Sequence, residues 1–231
     1  MNFYKLGLFL FGSLLFAQTK NDLWLRTTID YTFKNPKFRI ANELQYRLQD
    51  NQNQEFTPEK LLVSYRNWFY YQENKSLKIA FSSFAYFKHY KTVVKEADIF
   101  AKPKTEIRFS AFAELQHTFL KKNTVTHRFF TEYRWFTADN TNVFRYRQRL
   151  GLLLKLTKHI ELYPNEEVFF NINQSNHFFD QNRLTAQVNI KITKHHKLET
   201  GYTYCSKNQL NTNDLIENNI FINYTLMFSS K

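Results

Sequence analysis

Arg145, Arg147 and Arg149 recur at every second position of the stretch FRYRQRLGLLLKL, residues 144–156. A strand sends successive side chains to opposite faces, so the three guanidiniums would stand in one row. Phe144, Tyr146, Leu150, Leu152 and Leu154 take the alternate positions, with only Gln148 breaking the apolar series. A helix would instead set Arg147 opposite Arg145 and Arg149. A row of arginines can pair with carboxylates, which its planar fork grips in a bidentate way, or it can attract anions. The same parity rule collects Glu43, Arg47, Arg66, Glu106, Arg108, Glu114, Arg128, Glu132, Arg134, Glu167, Arg183 and Glu199 on the faces that match the arginine row. Glu132 and Glu167, from the flanking segments, are expected to cross-brace the row and leave a narrow, net positive interior. Such a set reads either as a structural ion-pair network or as an anion-attracting channel or pocket.

Catalytic patterns are missing. The chain has no G-x-S-x-G, no H-E-x-x-H and no glycine-rich phosphate loop. The seven histidines are scattered, and His195 and His196 are adjacent, so on a strand they point apart. Cys205 is the single cysteine, which excludes an internal disulfide and a multi-cysteine metal site. The expectation is therefore no catalytic residue, no cofactor and no metal.

The elements that would position these charges are strands. Two-residue alternation recurs over 23–33, 38–48, 61–71, 77–89, 105–119, 125–135, 144–156, 160–172, 179–192, 198–204 and 219–228. Within each, a polar or charged face lies opposite one of Phe, Tyr, Leu and Ile. A face with three arginines is too costly for a dry core without partners, and the opposite face is too apolar for water. An antiparallel transmembrane β-barrel satisfies both, with lipid outside and a wet, Arg/Glu-rich lumen. Eleven candidate strands appear, but single-chain bacterial barrels use even numbers. Ten or twelve is expected, with one weak strand missed or the first segment lying inside or beside the barrel. Connections alternate short and long, which places Lys121–Asn123, Thr157–His159 and Lys194–Lys197 on the periplasmic side.

Composition agrees with this reading. Aromatic residues make up 18% of the 231 positions, with only 4 Gly and 4 Pro, which suits long strands joined by tight turns. Mean hydropathy is -0.54, and that does not argue against a barrel, because half of each strand is polar. Residues 1–17, MNFYKLGLFLFGSLLFA, read as a signal peptide with a short positive start, an apolar stretch and cleavage after Ala17. Residues 18–231 then form one outer-membrane barrel domain. The formal charge of +12 would usually mean an anionic partner. Export makes nucleic acid the wrong one. The expected partners are outer-membrane lipid and lipopolysaccharide, met by Lys and His at the turns, and small anionic solutes in the lumen. The last strand, with Ile220, Ile222, Tyr224, Leu226 and Phe228 on one face, is the expected address for barrel-assembly machinery.

The order of several features resembles a known family. Trp24, the ELQYR of Glu43–Arg47, the central FRYRQRL, the FDQNR of Phe179–Arg183 and the LETGY of Leu198–Tyr202 are similar to the barrels called domain of unknown function 2490, found widely in Gram-negative Bacteroidota. The resemblance implies an outer-membrane β-barrel and no established activity. The expected function is accordingly a small pore, or a structural or binding barrel with a cationic lumen. The rivals are a barrel enzyme acting on lipid or lipopolysaccharide, and a soluble periplasmic β-sandwich.

Overall fold

The computed structural model describes residues 18–51, 59–120, 122–172, 177–208 and 215–230. The expected signal peptide, residues 1–17, lies outside them. The strands are β1 (Gln18–Thr32), β2 (Phe38–Gln49), β3 (Glu59–Gln72), β4 (Leu77–His89), β5 (Lys104–Phe119), β6 (Asn123–Phe136), β7 (Thr141–Lys155), β8 (Ile160–Leu162), β9 (Asn165–Ile172), β10 (His177–Lys191), β11 (His196–Lys207) and β12 (Leu215–Ser229). The connection from β4 to β5 contains one turn of 3-10 helix, Glu96–Asp98. β8 and β9 are two halves of one stave. They keep the same register against β7 and β10 and part only at Tyr163-Pro164, where proline has no N–H to give the ladder.

Every sequential neighbour pairs antiparallel, and the sheet closes on itself where β1 meets β12. Counting β8 and β9 as one, the described residues form eleven staves, the number of alternating segments in the sequence and within the range of ten to twelve, although the rule of even numbers favours either end of that range. The first segment is neither inside nor beside the barrel but a full stave of it. An odd number forces the first and last strands to run in the same direction, so the closing seam is parallel along all fifteen residues of β1, from Gln18 against Leu215 to Thr32 against Ser229. The rule of even numbers rests on an all-antiparallel closure, and this seam is what relaxes it. Bulges at Arg47/Leu48, Arg66/Phe69, Ser82/Ala85 and Phe179/Gln181 bend individual strands around the circuit.

The turns between β1–β2, β3–β4, β5–β6, β7–β8 and β10–β11 share one rim. These include the described parts of the three turns expected together. The remaining connections, which are longer on the whole, share the other rim. Side-chain parity then sorts inside from outside. Ile29, Leu44, Phe81, Leu150, Leu184 and Ile220 are exposed on the outer face, each on a different stave. Outer aromatics stack across strands, as Phe69 on Phe81 at 5.0 Å and Phe109 by Tyr133 at 6.4 Å. An apolar surface that encircles the molecule far exceeds the few hundred Å² a soluble monomer exposes in one patch. Gln148, the break in the apolar row, is satisfied there: its amide nitrogen lies 2.7 Å from His127 Nε2.

Candidate functional site

The interior is built from the inward parity of each strand, and its charges separate into two kinds of wall. On β5, β6 and β7 the arginines are pinned. Arg108 lies directly opposite Arg134, and Arg128 opposite Arg149, pairings that would repel. Carboxylates one pleat away resolve both conflicts. Glu106, fully buried, accepts from Arg108 Nε at 2.6 Å and Arg134 Nε at 2.8 Å, with His89 Nε2 at 2.7 Å. Glu114 accepts from Arg128 Nε at 2.6 Å and faces Lys78 at 2.8 Å and Arg149 at 3.9 Å. Glu132, also fully buried, is the hub. It meets Arg108 at 2.9 Å, Arg147 at 3.4 Å, Arg66 at 3.7 Å and Arg145 at 4.0 Å. Arg147 continues to Glu167 at 2.7 Å, and Arg145 to Asp180 at 2.9 Å. Desolvating so many charges is tolerable because every one of these carboxylates is paired and hydrogen-bonded, and Glu106, Glu114 and Glu132 are each shared among several cations.

The remaining members of the sequence-derived set are also inside. Glu43 and Glu199 both reach Arg26, at 3.8 Å and 3.5 Å. Arg47 and Arg183 are held differently, by rings instead of carboxylates. The Arg47 guanidinium carbon sits 3.8 Å from the Trp24 ring centre, and that of Arg183 sits 5.2 Å from Trp24 and 4.5 Å from Phe169. All fifteen residues thus face the lumen, and the structure divides them among the Glu106, Glu114, Glu132, Glu167 and Arg26 clusters and this aromatic cradle.

Nearer the short-turn rim, the lumen is filled. Trp68, Phe112 and Phe130 interlock with Ala41 and Ala80, the ring centres lying 5.5–5.8 Å apart. Tyr163 leans inward from the break between β8 and β9 and bonds Thr126, on the same strand as Phe130, at 2.8 Å. It fits because position 151 is glycine: a Cβ there would come within 2.5 Å of the Tyr163 hydroxyl. Above this fill lies a cavity of about 460 Å³. Nine arginines and Lys207 line it, against four carboxylates, Glu43, Glu167, Asp180 and Glu217. Leu61, Tyr90 and Thr92, from the long-loop rim, also line it, so it is reached from that side. The loop behind Thr92 is latched by the fully buried Gln49, which donates to the carbonyls of Lys60 and Lys91 and accepts from Val93 N.

The hydrogen bonding of the guanidiniums separates two groups, which follow the two walls except at Arg149 of β7. Arg108, Arg128, Arg134, Arg145 and Arg147 each give their Nε to an acceptor. Arg26, Arg47, Arg149 and Arg183 each have a buried Nε with no protein partner, and all four line the cavity.

Parity alone missed several functional-site members. Arg26, Lys78, His89 and Asp180 join the network, and Trp24 holds two arginines. Trp24 and Arg26 share the inward parity of β1 and were legible in principle; His89 sits at the end of β4 and Asp180 at the bulge of β10 between Phe179 and Gln181, where alternation gives no direction. The histidines stay apart: His89 meets Glu106, His127 meets Gln148, His195 meets the Met227 carbonyl and His196 meets the Tyr224 hydroxyl.

Fold and interior together define a closed β-barrel with an apolar exterior and a charged lumen. The chain belongs to the family whose model is described as a protein of unknown function (DUF2490), which matches residues 21–215. No curated protein and no solved structure matches the chain.

Proposed function

We propose that this protein is an outer-membrane β-barrel whose lumen is a blind, cationic binding cavity for small anionic solutes, open toward the long-loop rim. The observation that carries the reading is the excess of arginine around the cavity, four of them with a buried, unpartnered Nε. Wall charge of one sign in a low-dielectric enclosure concentrates ions of the other. The encircling apolar face supports insertion in lipid, and the aromatic fill at the short-turn rim favours a binding barrel over an open pore. In this orientation the short turns face the periplasm, and the exposed Ile220, Ile222 and Phe228 of β12 present the apolar face read by assembly machinery. The export of residues 18–231 behind a cleaved residue 1–17 segment belongs to the same proposal.

Two measurements test it. The protein is expected in the outer-membrane fraction, with gel mobility that shifts on boiling; detergent-free solubility as a monomer would return the periplasmic sandwich. In planar bilayers the folded barrel is expected to give no steady conductance. A steady, anion-selective current would make it a pore, because ions would then be crossing the filled half.

A further inference from the structure

Arg47 and Arg183 are unlike the other lumen arginines. Ion pairs among the described residues leave both out, and both have a buried Nε without a partner. Arg47 has one contact from its terminal nitrogen, to Gln45 at 3.4 Å. Both guanidinium carbons lie within 5.2 Å of the same indole ring, Trp24, on the cavity wall. Asp22 and Glu217 act on Arg47, and Glu167 and Glu217 on Arg183, only from beyond ion-pair contact. Two like charges placed together with no carboxylate in contact raise each other's energy, and an anion between them lowers it. Planar guanidiniums with free donors suit an oxyanion better than a halide.

The rest of the cavity wall adds a second requirement. Gln45, Gln181, Thr185, Gln187, Thr203 and Asn223 line it with neutral donors and acceptors. Its volume of about 460 Å³ is within the ordinary range for organic ligands and is far from filled by a lone inorganic ion. Arg183 in turn meets the thiol of Cys205, opposite it on β11. Amides and hydroxyls around two arginines without ion pairs match a ligand carrying both hydroxyls and an oxyanion.

We infer that the cavity takes a small anionic sugar, with Arg47 and Arg183 gripping its phosphate or carboxylate and the amide and hydroxyl wall meeting its hydroxyls. The inference rests on the reading of the lumen as a binding cavity and names its ligand class.

The test is isothermal titration of the full chain, folded in detergent and checked by its heat-shifted gel mobility. The probes are glucose phosphate, glucuronate, glucose and inorganic phosphate. At least one of the two anionic sugars is expected to bind, and whichever does so identifies the oxyanion. Glucose should not bind measurably, inorganic phosphate should bind at least tenfold more weakly, and added salt should weaken the binding. Arg47→Gln and Arg183→Gln should each lower affinity tenfold or more, while Lys158→Gln, in a turn at the far rim, should not change it. The inference is overturned if neither anionic sugar binds, if glucose binds as well as they do, or if inorganic phosphate binds as tightly. It is equally overturned if both folded arginine variants keep full affinity. The ligand series on the unmodified protein decides the matter even where a variant fails to fold. A barrel that carries no current and binds no sugar loses this ligand class alone; a conducting barrel loses the cavity reading itself.

Discussion

The wall made by β5, β6 and β7 and the wall made by β1, β2 and β10 both present arginine to the lumen on the same strand parity. In the first, Arg108, Arg134 and Arg147 are tied to Glu106, Glu132 and Glu167, and the Nε of each of the three is bonded; Arg149 of β7 is the exception, with an unpartnered Nε. In the second, Arg47 and Arg183 lean on Trp24, and their Nε atoms are not bonded. A guanidinium saturated by carboxylates braces neighbouring strands and offers little to a solute. A guanidinium held through its face by an indole keeps its edge donors available. One residue type therefore serves as mortar on one side and as a receptor on the other, and the difference lies in what stands beside it.

Removing the hub should have the largest effect. Glu132→Gln would leave Arg66, Arg108, Arg145 and Arg147 without their shared carboxylate. The expected loss is about 3–5 kcal/mol, read from urea unfolding in lipid vesicles. If the loss is small, the pinned wall is not structural.

The exterior supplies the next contrast. Leu152→Arg puts a charge on the outer, apolar face of β7 and, with the barrel in a membrane as proposed, should cost up to about 2–4 kcal/mol. Gln187→Arg adds charge to a lumen already rich in it and should cost clearly less. Equal costs in the same titration would undo the assignment of faces.

Coupling within the pinned wall comes third. Arg147→Leu leaves Glu167 without the ion pair that Arg147 provides at 2.7 Å, whereas Arg147→Leu with Glu167→Leu removes both charges. The double variant should recover about 1–3 kcal/mol relative to additivity. Zero coupling would mean the arginine row is not cross-braced.

On the other wall, Arg47→Leu and Arg183→Leu orphan no partnered carboxylate. Each should change stability by less than about 1 kcal/mol. A loss as large as that of Glu132→Gln would erase the distinction between the two walls.

The smallest expected effect is outside the barrel wall, in the loop over the cavity mouth. The Lys91 ammonium at 2.7 Å, with the backbone N–H groups of Lys95 and Val94, holds the Asp98 carboxylate down to about 2, below its ordinary 3.8. A carboxylate depressed by folding stabilises above its unfolded value, and that contribution fades as pH falls through the folded one. Amide protection in residues 91–98, corrected for the intrinsic pH dependence of exchange, should thus be unchanged from pH 7 to about 4 and fall only as pH approaches 2. Loosening already at neutral pH would show that Asp98 does not hold the loop.

Much of this was legible in the chain because a strand's period of two is local. Arg145, Arg147 and Arg149 point inward wherever β7 is placed, and Leu150 points outward for the same reason. The number of staves was not legible as a closed count. Eleven alternating segments could be read off, but whether the first was a stave depended on its meeting the last, almost two hundred residues away. Pattern within a segment says nothing about which segment lies beside it, so the parallel seam had no sequence signal.

Partnering shows the same boundary more sharply. By itself the sequence determined that fifteen charged side chains share the interior and that the exterior is apolar, because alternation fixes faces. Only the tertiary structure decided that Glu132 gathers four arginines from three strands, that Gly151 makes room for Tyr163, and that Arg47 and Arg183 find Trp24 in place of a carboxylate. Those outcomes depend on the stagger between strands, which sets the height at which each side chain enters the lumen, and stagger is a property of the closed barrel and of no single strand.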